Sequence, residues 1–155
     1  MLNNTLTLGS LSFPITKAVF RYVPENNLGG PGWDFNIVAE PCQSLEPDHF
    51  LSDRTIRFYS EADPIPVPNL DDLTGVEIFL AEPFDPQSGE VYFTLYVFEH
   101  GDLTNLTLRF LERDQSSRYR IFISATVPAG SVFDHDEQLE IHTWIEQLPT
   151  VIPEK

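Results

Sequence analysis

The densest group of metal-ligating side chains in the chain is FDHDEQLEIH, Phe133 to His142. His135 and His142 offer imidazole nitrogens. Asp134, Asp136, Glu137 and Glu140 offer carboxylate oxygens, and together these are the donor types of a divalent-cation site. The spacing argues against one. A helical His pair sits four apart, whereas these two are seven apart. On a strand that interval places them on opposite faces. The carboxylates do not follow the calcium-loop spacing either. The segment therefore reads as a polar turn and element cap. Asp134, His135, Asp136 and His142 remain weak metal candidates, and no cofactor is expected.

Other catalytic chemistry finds less support. Cys42, the single cysteine, sits in EPCQS beside an acidic residue, which raises a thiol pKa instead of activating it. No Gly-x-Ser-x-Gly elbow is present. NNLGGPGW is rich in glycine, but no Gly-Lys-Ser/Thr follows it, so it reads as a hairpin connection and not as a phosphate loop. Carboxylate pairs such as Asp71 and Asp72 are too common here to single out a glycosidase pair. The expectation is a non-enzyme. Trp33, Tyr59, Tyr92, Tyr96 and Trp144 would suit a sugar-stacking face, with a core role as the rival reading.

Charge carries the clearest signal. The chain has 24 Asp and Glu against 9 Lys and Arg, a formal net charge of −15. From Phe58 to Leu108 there is no Lys or Arg, but there are ten acids: Glu61, Asp63, Asp71, Asp72, Glu77, Glu82, Asp85, Glu90, Glu99 and Asp102. Such a field repels phosphate backbones and anionic lipid, so neither nucleic acid nor a membrane surface is an expected partner. A basic protein is. Glu61, Asp63, Asp71, Asp72, Glu82 and Asp85 are the candidate partner-binding residues, the first four on and beside the stiff PIPVP stretch. The work expected is that of a module that docks or neutralises a basic protein, functionally akin to immunity and inhibitor proteins. The alternatives are a sugar- or metal-binding module and a homo-oligomeric assembly subunit. The latter would use Arg109, Arg113, Arg118 and Arg120, which cluster on two strand-like runs and their turn.

Around these residues the dominant period is two, the signature of strands. EVYFTLYVF is apolar at both phases and reads as a strand covered on both sides, with Tyr92, Thr94, Tyr96 and Phe98 on one of them. NLTLRFLER and RYRIFISATV alternate apolar with polar. Short linkers, EHGDLT and RDQSS, predict that these three form an antiparallel meander. ITKAVFRYV changes phase near Lys17, which predicts a bulge. GWDFNIVAE sets Trp33, Phe35, Ile37 and Ala39 on one face, and RTIRFYS and GVEIFLA read as two further strands. SLEPDHFLS and PNLDDLTG each suggest one helical turn, the second capped by Asn69 and closed at Gly75. The run 137–148 fits both helical spacing and strand alternation, with its Ile, Thr and Trp content favouring strand.

These patterns predict an all-β antiparallel sandwich or barrel of about eight to nine short strands with one or two helical turns. The chain length predicts a single domain over 1–155, with 149–155 as a short tail. The N-terminal residues lack a basic region followed by an apolar one, no apolar run is long enough for a membrane helix, and there is no cysteine pair. A cytoplasmic location is the expectation.

Overall fold

The computed structural model describes residues 4–24, 31–41, 45–61, 65–97 and 99–150. Ten strands form in chain order: β1 (Thr5–Leu8), β2 (Leu11–Val23), β3 (Gly32–Ala39), β4 (Ile56–Tyr59), β5 (Glu77–Leu80), β6 (Thr94–Tyr96), β7 (His100–Asp102), β8 (Thr104–Arg113), β9 (Arg118–Val127) and β10 (Glu137–Gln147). They join into one open sheet in the order β5-β8-β9-β10-β1-β2-β3-β4-β6-β7. All pairings are antiparallel except one. Beyond the end of the short β1, Glu146 and Gln147 of β10 meet Val19 and Phe20 of β2 in parallel.

The sheet folds over at β1 and β2, so that its two halves pack core to core. Phe20 on β2 stacks with Phe35 on the neighbouring β3, at 5.2 Å between ring centroids. It also meets Phe110 of β8 and Tyr119 of β9, at 5.6 and 6.1 Å, and neither strand is its neighbour in the sheet. The alternation places the apolar residues inside. Trp33, Phe35, Ile37 and Ala39 of β3 are all buried, as are Tyr119, Ile121, Ile123, Ala125 and Val127 of β9. The predicted bulge lies where expected, between Ile15 and Lys17. It gives β2 the extra residue with which a long strand bends into both halves.

The all-β reading holds, and the run from 137 is strand. Leu139, Ile141, Thr143 and Ile145 are buried while the residues between them face outwards. Four details differ from the sequence reading. First, there are ten strands, because β1 and β7 form from segments read only as a terminus and a linker. Second, the meander is β8-β9-β10, and β6 pairs instead with β4 and β7. Three of the six residues of EHGDLT are themselves strand β7, which turns β6 away from β8. Third, the two faces of the β6 segment are unequally covered: Phe93, Leu95 and Val97 are buried, whereas Tyr92 and Thr94 are half-buried and Tyr96 is exposed. Phe98 lies outside the described residues. Fourth, no helix forms among the described residues. SLEPDHFLS, in the part described, makes successive tight turns, with His49 N–H bonding to Glu46 C=O and Ser52 N–H to His49 C=O. PNLDDLTG closes as a turn on Gly75, whose φ is +84°.

The proline-rich stretch is a strap over the core. Ile65 and Val67 are buried while Pro66 and Pro68 face solvent. This alternation lets a segment without sheet pairing still bury apolar surface. The indole Nε1–H of Trp33 donates to Val67 C=O at 2.7 Å. At the far end, Leu73 N–H donates to the Tyr119 hydroxyl at 3.2 Å. The strap is thus fastened to β3 in one half and β9 in the other, and it delivers the chain to β5.

Candidate functional site: an acidic rim and a cationic cleft

Among the described residues β5 is an outermost strand, with β8 as its one partner. Its side chains alternate, so Ile78 and Leu80 enter the core while Glu77 and Phe79 face out. Phe79 is 61% exposed, the largest exposure among the described large hydrophobic residues. Asp71 and Asp72 lie where the strap turns into β5. Glu82, Phe84 and Asp85 lie where the chain leaves it, and Phe84 is also exposed. Four of the six candidate acids therefore border one strand. Glu61 is elsewhere, beyond β4, where its charge is felt by Asp34 and Tyr59. Asp63 lies outside the described residues, as does Cys42.

Two of the four rim acids are also structural. The Asp72 carboxylate accepts from the Thr74 hydroxyl at 2.6 Å and the Thr74 N–H at 2.9 Å. Those bonds, the hydroxyl first, hold its pKa below the ordinary carboxylate range. The Asp85 carboxylate accepts from the Ser88 hydroxyl at 2.8 Å and the Ser88 N–H at 3.1 Å, and its pKa is lowered, chiefly by the Ser88 hydroxyl. Both are Asx-type turns that aim the chain into and out of β5 and its exit loop.

A cleft of about 510 Å³ opens at the exit end of this rim. Pro83, between Glu82 and Phe84, lines it on one side. Glu99, His100, Asp102 and Thr104 come from the β7 region, and Pro128 to Ser131 from the β9–β10 connection. Among the described residues, its wall holds two carboxylates and no Lys or Arg. Gly101 is closely packed there, since a Cβ on it would stand 3.3 Å from Ser131 Oγ and 3.4 Å from Leu95 C=O. Sequence reasoning did not single out Glu99 and Asp102 from the ten acids of the cation-free run. They come together with Pro83 only through the β6–β7 hairpin.

A second cleft, of about 330 Å³, has the opposite character. Lys17 and Arg21 of β2 and Arg57 of β4 line it, with Asp34 and Asn36 of β3 between them and Leu148 at its edge. The register places Val38 beside Lys17 and Arg57, Asn36 beside Val19 and Tyr59, and Asp34 beside Arg21. These residues all lie on the outward face. No motif announced this cleft; the signal was the alternation Lys17, Val19, Arg21 opposite the core residues Ala18 and Phe20.

The four hairpin arginines do come together on β8, β9 and their turn, but each is engaged within the chain. Arg109 Nε pairs with Glu77 at 2.9 Å, Arg118 with Asp114 at 2.7 Å and Arg120 with Glu112 at 2.8 Å. Arg113 donates to Asp71 C=O at 3.1 Å and lies over the Tyr119 ring. Partial burial alone would raise the Asp114 pKa. Hydrogen bonds from the backbone and side chains of Ser116 and Arg118 outweigh it and hold the pKa at about 2.

The His/Asp/Glu segment forms a clasp. His135 Nδ1 meets Asp134 at 2.9 Å and its Nε2 meets Glu137 at 3.1 Å. The Asp136 carboxylate accepts from Ala129 N–H at 2.8 Å. Glu137 in turn packs against Gly9, where φ is +61° and a Cβ would stand 2.7 Å from Glu137 Cδ. His142 sits apart on β10, with its ring 4.7 Å from that of Phe122. Among the described residues no group of three or more His, Cys, Asp and Glu is placed to hold a metal ion. The five aromatics are also dispersed. Trp33 is in the core, Trp144 lies on β10 beside Arg118, and only Tyr59 and Tyr96 converge, around His100.

No helix among the described residues is long and apolar enough to cross a membrane. No family model, curated protein or solved structure matches the chain.

Proposed function

We propose that this protein is a non-enzymatic binding module of the cytoplasm whose acidic rim docks a basic protein segment. The observation that carries the reading is the cleft at the exit of β5, walled by Glu99 and Asp102 with no Lys or Arg among its described lining residues. A Lys or Arg side chain of a partner entering it would exchange water for two carboxylates. Phe79 and Phe84 add apolar contact beside it, the kind of anchor that contributes most of the affinity in protein interfaces. β5 also presents an outer edge, to which an extended segment can add as a further strand. The wider acidic field would speed encounter more than it deepens affinity, and salt would screen it.

The test uses a lysine-rich extended peptide carrying one apolar residue, with association and dissociation measured as salt rises. The wild-type protein should bind saturably at low salt and associate more slowly as salt increases. The triple variant E82Q/E99Q/D102N should associate several-fold more slowly, whereas E61Q, away from the rim, should not differ from wild type. Absence of saturable binding at low salt, or a triple variant with the wild-type rate, would overturn the reading.

A further inference from the structure

We propose that the cleft between β2, β3 and β4 is a binding site for a compact oxyanion, carried on a small molecule as phosphate or carboxylate. The charge count is the first argument. Lys17, Arg21 and Arg57 are three of only nine Lys and Arg in a chain with a net charge of −15. The field of the whole molecule repels anions, so an anion site here must be made by local charge. Among the described residues of the cleft wall, three cations face one carboxylate, that of Asp34.

Geometry is the second argument. Cations that serve only the fold are usually spent on tight ion pairs, as Arg109, Arg118 and Arg120 of the hairpin are. Those of the cleft are not. Arg21 Nε stands 3.6 Å from Asp34 Oδ2, beyond hydrogen-bond length. Lys17 has no ion pair among the described residues. Arg57 donates through Nε to Asn36 Oδ1 at 3.0 Å, and its guanidinium lies 4.3 Å over the Tyr59 ring. One bond and one stacking contact fix the plane of that guanidinium before any ligand arrives. A pre-set fork matched to an oxyanion loses less entropy on binding than a free arginine would.

The environment is the third. The site is partly desolvated: burial pushes the Asp34 pKa up, Arg21 opposes that, Glu61 adds to it and Arg57 opposes it. Reduced solvent access strengthens charge-assisted bonds to a ligand. Val19 and Leu148 give the cleft an apolar wall for the carbon part of the ligand. Its volume, about 330 Å³, suits a small metabolite and is too small for a polymer. This site is independent of the acidic rim, so either proposal stands if the other fails.

The experiment is calorimetric titration with inorganic phosphate and, separately, with succinate, paired with NMR of the Arg57 and Lys17 side chains. Binding should be saturable at one site, and the tighter of the two probes identifies the oxyanion as phosphate or carboxylate. R57Q should weaken binding about tenfold or more, the loss expected for one charge-assisted pair. K17Q should weaken it as well. The Lys17 side chain makes no hydrogen bond or ion pair among the described residues, so that variant keeps the test decisive if R57Q folds poorly. R109Q removes a cation outside the cleft and should bind like wild type. Failure of both probes to saturate, or equal weakening by R109Q and K17Q, would overturn the proposal.

Discussion

The indole of Trp33 and the carbonyl of Val67 are joined by a 2.7 Å hydrogen bond between residues 34 apart in sequence. Trp33 is 1% exposed and Val67 6%. The bond fastens a proline-rich strap that has no place in the sheet onto the centre of the core. It satisfies two buried polar groups at once, which matters more than the modest net worth of a hydrogen bond. W33F keeps an aromatic ring against Phe20 and Phe35 but leaves the carbonyl without its donor. We expect a loss of about 1–3 kcal/mol in unfolding free energy, measured by urea denaturation. A change near zero would mean that the strap is held by its apolar contacts alone.

Ser60 makes a comparable contribution at the end of β4. Its hydroxyl donates to Trp33 C=O at 2.8 Å and accepts from Phe35 N–H at 3.0 Å. β4 stops at Tyr59, so this side chain continues the ladder along β3 where the strand has ended. S60A should cost about 1–3 kcal/mol, since it orphans a buried donor and a buried acceptor on β3. Hydrogen exchange at the Phe35 amide should speed up by more than exchange at Ile37. Equal protection at both would argue that water replaces the hydroxyl.

The His135 clasp predicts a pH dependence with a definite sign. Asp134 first, then Glu137, favour the charged imidazolium and raise its pKa above the ordinary value. A raised folded-state pKa contributes stability that is fully present below the unfolded value of about 6.5. That contribution is lost as pH rises through the folded pKa. NMR titration of the His135 ring should show a midpoint above that of an unfolded peptide, and both D134N and E137Q should lower it. A wild-type midpoint at or below the peptide value would remove the clasp from any role in stability.

Much of the fold was legible because the residues that build it speak locally. The period-two runs of β3, β8 and β9, and the phase change near Lys17, can be read without knowing what they pack against. β6 reads as part of the EVYFTLYVF strand, but β7 and the pairing of the two could not be read this way. Each is three residues long, and Gly101 offers no side chain to alternate. Their pairing is decided by Leu95 opposite Gly101 and by the close approach of Ser131. The sites fared similarly. An acid excess is visible as composition, but the closeness of Glu99, Asp102 and Pro83 depends on that same β6–β7 hairpin. The segment around His135 looked like ligand chemistry by residue type. Its carboxylates are instead turned onto His135, the Ala129 amide and the close approach to Gly9.

The acids around β5 divide into two kinds, and substitution should separate them. The carboxylates of Asp72 and Asp85 accept from the hydroxyl and N–H of Thr74 and Ser88. Their pKa values are lowered mainly by those bonds. A lowered folded-state pKa contributes stability that is present above the unfolded value and is lost as pH falls through the folded one. D72A and D85A should therefore lower the melting temperature at neutral pH, and the deficit should shrink towards acid, where the wild-type carboxylates also protonate. Asparagine would be a poor substitute, because its amide oxygen can rebuild an Asx turn. The side chains of Glu82, Glu99 and Asp102 show no hydrogen bond or ion pair among the described residues, and all three residues are exposed. The variant E82Q/E99Q/D102N should melt at or slightly above the wild-type temperature, since it relieves like-charge repulsion. Melting curves of the wild type and the three variants at neutral and acid pH make the comparison. A triple variant that melts well below wild type would mean these acids hold the fold, and any loss of binding in it would no longer report on the cleft.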